Sequence, residues 1–467
     1  MDSNTHYSAS LASVPAAVSF PLTAHLHQIT ARLLQAHSAI LSELTDGLGS
    51  PLHFVLPQVF RQNVDQFREV FNQHDLDGAV LFAKKANKAD CFARAAALMG
   101  IGADVASTGE LAKALAAGIV GEAIGVSGPE KDDALLALSL QHRCLVAIDS
   151  LHELERMACL AHRIGSSGRI LLRCRLASQA NSRFGLNPAE REAAIGVCLS
   201  HSEAIRLQGF SFHLGGYSTE ERAQAASQMI DHCLEARSRG LAHCRHVDLG
   251  GGLAVQYVDP ACWKSFTDQD EPSHYHAGKR FGGFYPYGAL RAGPQALGDI
   301  LHELVDAKET LASKARRHGI GIIVEPGRAL LDQAGFTVFR VQAVKDRHAS
   351  DGYAIVTVQG SSLSLSEQWF NSEYLPDPVL LGTDPSPERP FLACIAGSTC
   401  LEGDLLTWRK LGFPRAIRAG DSLVYLNTAG YQMDSNESRF HEARLPLKVV
   451  LDLHDDDTRP RWRLDDI

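Results

Sequence analysis

Four short segments of the chain carry residues that could serve one reaction, and each stands where a run of apolar residues ends. Lys85 follows the run 78–83, and His213 lies at the end of the run 207–214. The triplet Gly250–Gly252 and the pair Glu325 and Arg328 follow two further runs. In a parallel barrel the ends of the strands meet at one face, and catalytic and phosphate-binding residues collect there. We therefore expect these segments to form one site.

The residue types match the functional groups of pyridoxal phosphate. Lys85 can form a Schiff base with the aldehyde, and Glu325 can hold a proton on the pyridine nitrogen. Glycines let backbone N–H groups close on a phosphate without interference from a Cβ atom, and Arg328 adds a bidentate contact. His213 is placed to stack on the ring. The residues predict a pyridoxal phosphate site formed by Lys85, His213, Gly250, Gly251, Gly252, Glu325 and Arg328.

The elements that position these residues alternate between apolar runs and helical patterns from about residue 77 onward. Ser107 and Ser150 are each followed by glutamate three residues later, a pattern typical of helix starts. Continuous apolar runs joined by helices indicate parallel strands covered on both faces. An open doubly wound sheet would show the same alternation, but the polar residues at the run ends favour a (β/α)8 TIM-type barrel over residues 51–335. The eight runs are 78–83, 102–106, 122–127, 144–148, 169–175, 207–214, 246–250 and 320–325.

The sequence on either side of this alternating segment shows other patterns. An N-terminal extension over 1–50 contains apolar positions at helical spacing between residues 22 and 46. After residue 335 the apolar segments follow one another without long helices, which predicts a C-terminal all-β domain over 336–467. A strand within 51–56 could belong to that domain. Residues 253–292 are irregular and rich in aromatics and glycines, as in lids, specificity elements or disordered loops.

The composition argues against several classes of function. The 467 residues are 45% hydrophobic and 21% charged, with a net charge of −9 and a pI of about 6.2. This balance does not favour binding to nucleic acid or to an anionic membrane. No apolar run is long enough to span a membrane, and no signal-peptide pattern is present. The ten cysteines show neither a CxxC pair nor zinc spacing, which predicts reduced thiols in a cytoplasmic protein without a metal site.

An ordered set of motifs resembles the fold-type III pyridoxal-phosphate decarboxylases, the group of diaminopimelate, ornithine and arginine decarboxylases. FAKKAN at 82–87 and DVASTGEL at 104–111 are similar to the lysine segment of that family, usually YAVKAN followed by DVASxxE. The resemblance runs from about residue 50 to residue 450 and implies the barrel and β-domain of that family. Further matching motifs are SRFGL at 182–186, FHLGG at 212–216, VDLGGG at 247–252, EPGR at 325–328, GSTCLEGD at 397–404 and NTAGY at 427–431.

The resemblance implies a role for each matching residue. Lys85 would hold the cofactor, His213 would stack on one ring face, and Glu325 would pair with the pyridinium nitrogen. In this family the residues matching Cys400 and Tyr431 reach the active site of the other subunit, which implies a homodimer with shared sites. Cys400, or Lys85, would return a proton to Cα after decarboxylation. The phosphate would be held by Gly250, Gly251, Gly252, Gly327, Arg328 and Tyr431.

The cofactor motifs depart from the family pattern in three places. Phe82 replaces the usual tyrosine, and Lys84 replaces a small apolar residue. Gly216 stands where the family has a serine whose hydroxyl binds phosphate. Tyr217 or Ser218 could supply that hydroxyl instead. These changes perturb the phosphate site without removing it.

The substrate motifs depart further. Leu401 stands where the family usually has an acid that meets the distal amine of the substrate, and Glu402 comes one residue later. Residues 356–374 contain no arginine where the family has one. Leucine cannot pair with an ammonium group, and a buried unpaired charge is costly. We expect a substrate other than ornithine, lysine or diaminopimelate, namely a larger amino acid or one whose distal group is neutral or acidic.

Three other functions compete with decarboxylation. A racemase or an aldol-cleaving lyase could use the same cofactor, but it would not need Cys400 as a proton donor. A non-catalytic relative, either binding pyridoxal phosphate or free of cofactor, could regulate a partner, but intact Lys85, Glu325 and Cys400 weigh against it, since a pure binding role needs no proton donor. A metal enzyme using His274 and His276 is weakly indicated, because the spacing HxH is common in loops.

Overall fold

The computed structural model describes residues 19–365, 371–382, 390–435, 438–454 and 459–465. Its helices are α1 (Gln28–Ala36), α2 (Ser38–Leu48), α3 (Pro57–Gln73), α4 (Asp90–Met99), α5 (Thr108–Ala116), α6 (Asp133–Gln141), α7 (Leu151–Ile164), α8 (Pro188–Ser200), α9 (Thr219–Ser238), α10 (Pro260–Gln269), α11 (Gly293–His302) and α12 (Leu311–His318). Its strands are β1 (Leu52–Val55), β2 (Gly78–Ala83), β3 (Gly102–Val105), β4 (Ile124–Val126), β5 (Leu145–Ile148), β6 (Gly168–Arg173), β7 (Ile205–Ser211), β8 (His246–Asp248), β9 (Gly321–Val324), β10 (Gly335–Arg347), β11 (Tyr353–Val358), β12 (Val379–Leu380), β13 (Phe391–Ala396), β14 (Leu405–Phe413), β15 (Ser422–Leu426), β16 (Leu447–Asp452) and β17 (Arg461–Leu464).

The chain divides into two compact units. The barrel unit consists of Arg61–Ala254 and Ala292–Leu330. The β unit consists of Met1–Phe60, Val255–Arg291 and Leu331–Ile467. None of the described helices is both long and apolar enough to cross a membrane.

The barrel unit contains the eight parallel strands that the apolar runs predict. Strands β2 to β9 close into a barrel in sequence order, and β2 pairs with β9 to complete the ring. Side chains from four of these strands meet in a buried cluster, and apolar residues on both faces of each strand explain the unbroken runs. All eight strands therefore end at the same face, where a barrel carries its functional loops. The cluster consists of Leu81, Leu145, Leu171 and Ile323.

The β unit contains a mixed nine-stranded sheet with the order β14-β13-β11-β10-β1-β16-β17, in which β15 pairs with β10 and β12. The early strand β1 lies between β10 and β16, antiparallel to the first and parallel to the second. The N-terminal segment and the C-terminal strands therefore share one hydrogen-bonded sheet. The sequence patterns miss β12, β14 and β17, since two of these strands are short and the third follows a turn rich in polar residues.

Two segments differ from the expectations. The helix expected over 22–46 is two helices that meet at His37, and Ala24 lies before them in a β-bridge with Val258. Residues 253–292 are expected to be irregular and within the barrel, but they include α10, and residues 255–291 group with the β unit. A β-bridge between Tyr275 and Arg409 ties this segment to β14. Aromatic packing and backbone pairing, which apolar periodicity does not detect, hold it there.

Candidate active site

Lys85 lies directly beyond β2, in the short 3-10 turn Lys84–Ala86. Its Nζ donates to Oδ2 of Asp104 on the neighbouring strand β3, at 3.2 Å. Asp104 is 1% exposed, and its Oδ1 has no hydrogen-bond partner among the described residues. The pair therefore holds a lysine amine at the end of the barrel strands, beside a buried carboxylate that can accept one more hydrogen bond.

Two further carboxyl groups, those of Asp248 and Glu325, are buried in the same region of the barrel. Asp248 ends β8, and Glu325 follows β9 directly. Burial, together with the charges of Asp104 and Asp248, raises the pKa of Glu325 well above its usual range. Burial also raises the pKa of Asp248 to about 7. The two carboxyl groups share a hydrogen bond, which requires a proton on one of them, and the raised pKa of Glu325 favours its protonated form.

The glycine triplet forms a turn with no room for side chains. A Cβ atom on Gly250 would lie 2.7 Å from Nδ1 of His213, and one on Gly251 would lie 2.8 Å from the carbonyl oxygen of Glu325. Gly250 and Gly252 also have positive φ angles of 67° and 79°, which favour glycine. The amide of Gly250 donates to Oδ1 of Asp248 at 2.8 Å. The turn is therefore held tightly between the loops after β7 and β9.

His213 is neutral at physiological pH. Burial, and to a lesser extent the charge of Lys85, lowers its pKa to about 4. A neutral imidazole offers a flat ring that does not repel a cationic heterocycle stacked on it. Beside His213 a cavity of about 500 Å³ opens, lined also by Arg173, Phe184 and residues 177–182. Arg173 pairs with Asp149 at 3.1 Å.

Arg222, on α9, is a site residue that the sequence analysis misses. Its side chain is buried, and its Nη1 donates to the carbonyl oxygens of Leu249 and Gly251 at 3.0 and 2.8 Å. Its Nη2 donates to the carbonyl oxygens of Gly216 and Gly252, both at 3.2 Å. The guanidinium thus fixes the carbonyl groups of Gly216 and of the Gly250–Gly252 turn, and the amides of Gly251 and Gly252 would be the donors to an anion. Burial lowers the pKa of Arg222 to about 10, so it stays charged at neutral pH.

The segment after β9 adds a second cation. Arg328 is 9% exposed and lies in the turn that begins at Glu325. The amide of Leu330 donates to the carbonyl oxygen of Gly327, and the amide of Ala83 donates to that of Pro326. These bonds connect the Arg328 turn to the end of β2, directly before Lys85. The barrel unit thus contains eight of the residues that the sequence predicts for the site. They are Lys85, His213, Gly250, Gly251, Gly252, Glu325, Gly327 and Arg328.

The remaining predicted residues belong to the β unit. Cys400, Leu401 and Glu402 are exposed on the turn between β13 and β14. That turn is shaped by the buried Asp404, whose carboxylate accepts from the amides of Ser362 and Thr399 and from Oγ1 of Thr399. Tyr431 lies beyond β15 with a φ of 75° and accepts at its carbonyl oxygen from the amides of residues 434 and 435.

The barrel residues fit pyridoxal phosphate. The turn at Gly250–Gly252 leaves no room for a Cβ atom on Gly250 or Gly251, and the amides of Gly251 and Gly252 would hold a phosphate, while that of Gly250 binds Asp248. The buried carboxyl group of Glu325 would pair with a pyridinium nitrogen, and Lys85 provides an amine for the aldehyde. Of the groups missed from the sequence, Asp104 and Asp248 stand inside recognised motifs and could have been noticed. Arg222 gave no such signal, because its partners are backbone atoms up to 30 residues away.

Replacing Arg222 by lysine should weaken cofactor binding while the fold is kept. Lysine retains the charge but cannot donate to four carbonyl oxygens of two loops, so the glycine turn loses its fixed orientation. We expect the dissociation constant for pyridoxal phosphate to rise about 10- to 100-fold, measured by absorbance titration of the cofactor-free protein. Arg237→Lys is the control, because Arg237 lies on the same helix and donates only to the carbonyl oxygen of His318. Equal affinities in the two variants would contradict this role.

Replacing Glu325 by glutamine should change how stability depends on pH. Above about pH 4.5 the carboxyl group of Glu325 is ionised in the unfolded chain but protonated in the folded one, so rising pH favours unfolding of the wild type. The variant lacks this effect, so its free energy of unfolding relative to that of the wild type should rise by up to about 1.4 kcal/mol per pH unit. Urea unfolding of the cofactor-free proteins between about pH 5 and pH 7 measures this, with the exposed Glu155→Gln as the baseline for lost charge. If the difference in the free energy of unfolding between the variant and the wild type stays constant with pH, Glu325 does not have a raised pKa in the folded protein.

Comparison with solved structures supports the architecture. The structure of diaminopimelate decarboxylase from Helicobacter pylori complexed with L-lysine aligns with a TM-score of 0.68 and 18% identity. The alignment covers 91% of this chain and 95% of that one. At this identity the likeness shows the fold: a parallel eight-stranded barrel with a separate, mostly β domain.

Comparison with known sequences shows the family. The chain is 37% identical to the uncharacterized protein y4yA of Sinorhizobium fredii, over 93% of this chain and 94% of that protein. It is 26% identical to the diaminopimelate decarboxylase of Bacillus methanolicus, over 85% and 87% of the two chains. Residues 58–332 match the family model described as pyridoxal-dependent decarboxylase, pyridoxal binding domain. The chain therefore belongs to the pyridoxal-dependent decarboxylases, a family of carboxy-lyases that use pyridoxal phosphate.

Proposed function

We propose that this carboxy-lyase decarboxylates an amino acid with a large side chain that ends in a neutral or acidic group, and not ornithine or diaminopimelate. We further propose that it works as a homodimer in the cytoplasm. The chemistry of Cys400 and its surroundings carries the proposal for the substrate. The ten cysteines are all free thiols, which supports a reducing compartment.

Each residue of the barrel site has a proposed task. Lys85 binds the aldehyde carbon of the cofactor, and Glu325 donates to or pairs with its ring nitrogen. His213 covers one ring face as a neutral imidazole. When bound, pyridoxal phosphate accepts the electron pair that remains when the bond between Cα and the carboxylate breaks. The phosphate is held by Gly250, Gly251, Gly252, Gly327 and Arg328, with Tyr431 from the other protomer.

Cys400 is proposed to return the proton to Cα. A thiol can give up a proton near neutral pH, and the exposed turn between β13 and β14 leaves the side chain accessible to a second protomer. The neighbouring Leu401 is 52% exposed, so this turn presents an apolar side chain beside the thiol. Both observations support a dimer in which this turn completes the site of the partner subunit.

The surroundings of Leu401 support a substrate without a distal ammonium group. A cavity of about 260 Å³ in the β unit is lined by Leu401 and Thr399, on either side of Cys400, and by Phe281, Tyr374 and Trp408. Lys279 also lines it, with its Nζ 5.2 Å from the ring centres of both Phe281 and Trp408. Aromatic walls favour a bulky side chain, and a lysine favours a neutral or anionic end over a cationic one.

Two acids, Asp404 and Glu373, are among the described lining residues of this cavity. Asp404 accepts three hydrogen bonds, one from Ser362 and two from Thr399. Oε1 of Glu373 lies 3.5 Å from Nε of the buried Arg409, and burial raises the pKa of Glu373 to about 7. Both carboxyl oxygens of Glu373 lack a hydrogen-bond partner among the described residues, and Arg409 is the cation that balances its charge. Glu402 is exposed on the turn and does not line the described cavity.

The cofactor linkage is tested by the absorbance spectrum of the purified protein between about 300 and 500 nm. We expect a band near roughly 410–430 nm that borohydride bleaches, with the cofactor then fixed at Lys85 in peptide mapping. Lys85→Ala should lose the band, and Lys113→Ala, which removes an exposed lysine from α5, should keep it. A wild type that stays colourless when supplied with pyridoxal phosphate would refute the enzymatic function. Release of CO2 then separates decarboxylation from racemisation or aldol cleavage.

Leu401→Asp tests the substrate class. An acid beside Cys400 provides the partner that a distal ammonium group needs, so the ratio of kcat/KM for ornithine to that for a large neutral amino acid should rise about tenfold or more. CO2 release from a panel of amino acids measures the ratio. Leu98→Asp is the control, since Leu98 is an exposed leucine on α4 in the barrel unit. A wild type that acts best on ornithine or diaminopimelate would overturn the proposed substrate class.

A further inference from the structure

Cys400 lies beside a histidine, His441, that has no role in the proposed function so far. Sγ of Cys400 lies 3.2 Å from Nε2 of His441, which is within hydrogen-bond distance for sulfur. The two residues are 41 positions apart in sequence, and both side chains are exposed in the protomer. The contact therefore joins two separate loops of the β unit.

Both loops are built in a way that keeps the two atoms together. On the cysteine side, the carboxylate of Asp404 fixes the turn by accepting hydrogen bonds from Thr399, the residue before Cys400. On the histidine side, the ring of Phe440 stacks on that of His441, with centres 4.3 Å apart. His441 and Glu442 both have positive φ angles, of 59° and 56°, in the turn that aims the imidazole at the thiol.

The stoichiometry of decarboxylation supplies a role for the pair. An amino acid that loses CO2 gains one proton at Cα, so each turnover consumes a proton from solvent. If the thiol of Cys400 gives its proton to Cα, the sulfur is left as a thiolate and must be reprotonated before the next turnover. Imidazole can accept a proton at one ring nitrogen and release one at the other.

We propose that His441 acts through Cys400 as the residue that reprotonates its sulfur. The S–H bond breaks as the new C–H bond forms at Cα. The proton on Nε2 of His441 then moves to the thiolate as Nδ1 of the exposed ring takes up a proton from water. His441 is thus a positioning and proton-supplying residue for Cys400, and it does not touch the substrate. This inference rests on the proposed decarboxylation and on the homodimer.

The first test measures the thiol itself and needs no turnover. The cofactor-loaded wild type and His441→Gln are treated with iodoacetamide, and the rate of alkylation at Cys400 is measured by peptide mapping. Imidazole can take the thiol proton and an amide cannot, so we expect the rate at Cys400 to fall about five- to tenfold in the variant. The exposed Cys159 and Cys262 are internal standards and should react equally in both proteins.

The second test measures turnover with the best substrate of the panel. His441→Gln should lower kcat by about 10- to 100-fold and change KM less than about twofold. Added imidazole should restore part of the kcat of His441→Ala, which a purely structural role of the side chain would not allow. His454→Gln, which removes an exposed histidine from the C-terminal segment, should retain wild-type kcat.

The outcomes separate this inference from the proposed function. Unchanged alkylation of Cys400, or a loss of kcat that imidazole does not restore, in an active enzyme would overturn the role of His441 alone. A wild type that binds the cofactor but releases no CO2 from any amino acid would overturn the proposed function, and the relay with it. Slower alkylation together with rescue by imidazole would support both.

Discussion

Three buried carboxyl groups, those of Asp104, Asp248 and Glu325, lie at the ends of the barrel strands, and the half-exposed Lys85 pairs with one of them, Asp104. Such an arrangement cannot hold every acid in its charged form, because burying unpaired charge is too costly. The pKa of Glu325 and that of Asp248 are accordingly raised, and the two share a hydrogen bond. In the proposed function, a bound group with a cationic ring nitrogen would balance part of this excess of acids.

The glycine turn also contains a buried charge, but here the charge is positive and belongs to Arg222. Arg222 is buried among four backbone carbonyl oxygens and satisfies them all, so its charge is balanced by aligned dipoles rather than by an acid. One of those carbonyls belongs to Gly216, the position at which the motif resemblance led us to expect a phosphate-binding hydroxyl. The guanidinium thus fixes the loop that carries Gly216. A charge held behind the turn also favours an anion in front of it.

The β unit combines the family's cysteine turn with features of its own. Leu401 replaces the expected acid, and residues from the segment 255–291, including Lys279 and Phe281, line the cavity beside it. The same turn places Cys400 against His441. In our proposals one surface therefore carries both the selection of the substrate side chain and the supply of the proton, while the barrel carries the cofactor.

The sequence by itself determined the barrel, because strands buried on both faces must be apolar throughout and helices must separate parallel neighbours. The sequence also predicted the cofactor, because a lysine, a glutamate, an arginine and a glycine triplet stand together at the ends of its apolar runs. It did not reveal Arg222 or His441, the break at His37, or the placement of 255–291 in the β unit. These depend on contacts between distant positions: a guanidinium with backbone carbonyls, an imidazole with a thiol, a bridge to β14. Such contacts leave no periodicity in the chain, and only the tertiary structure decides them.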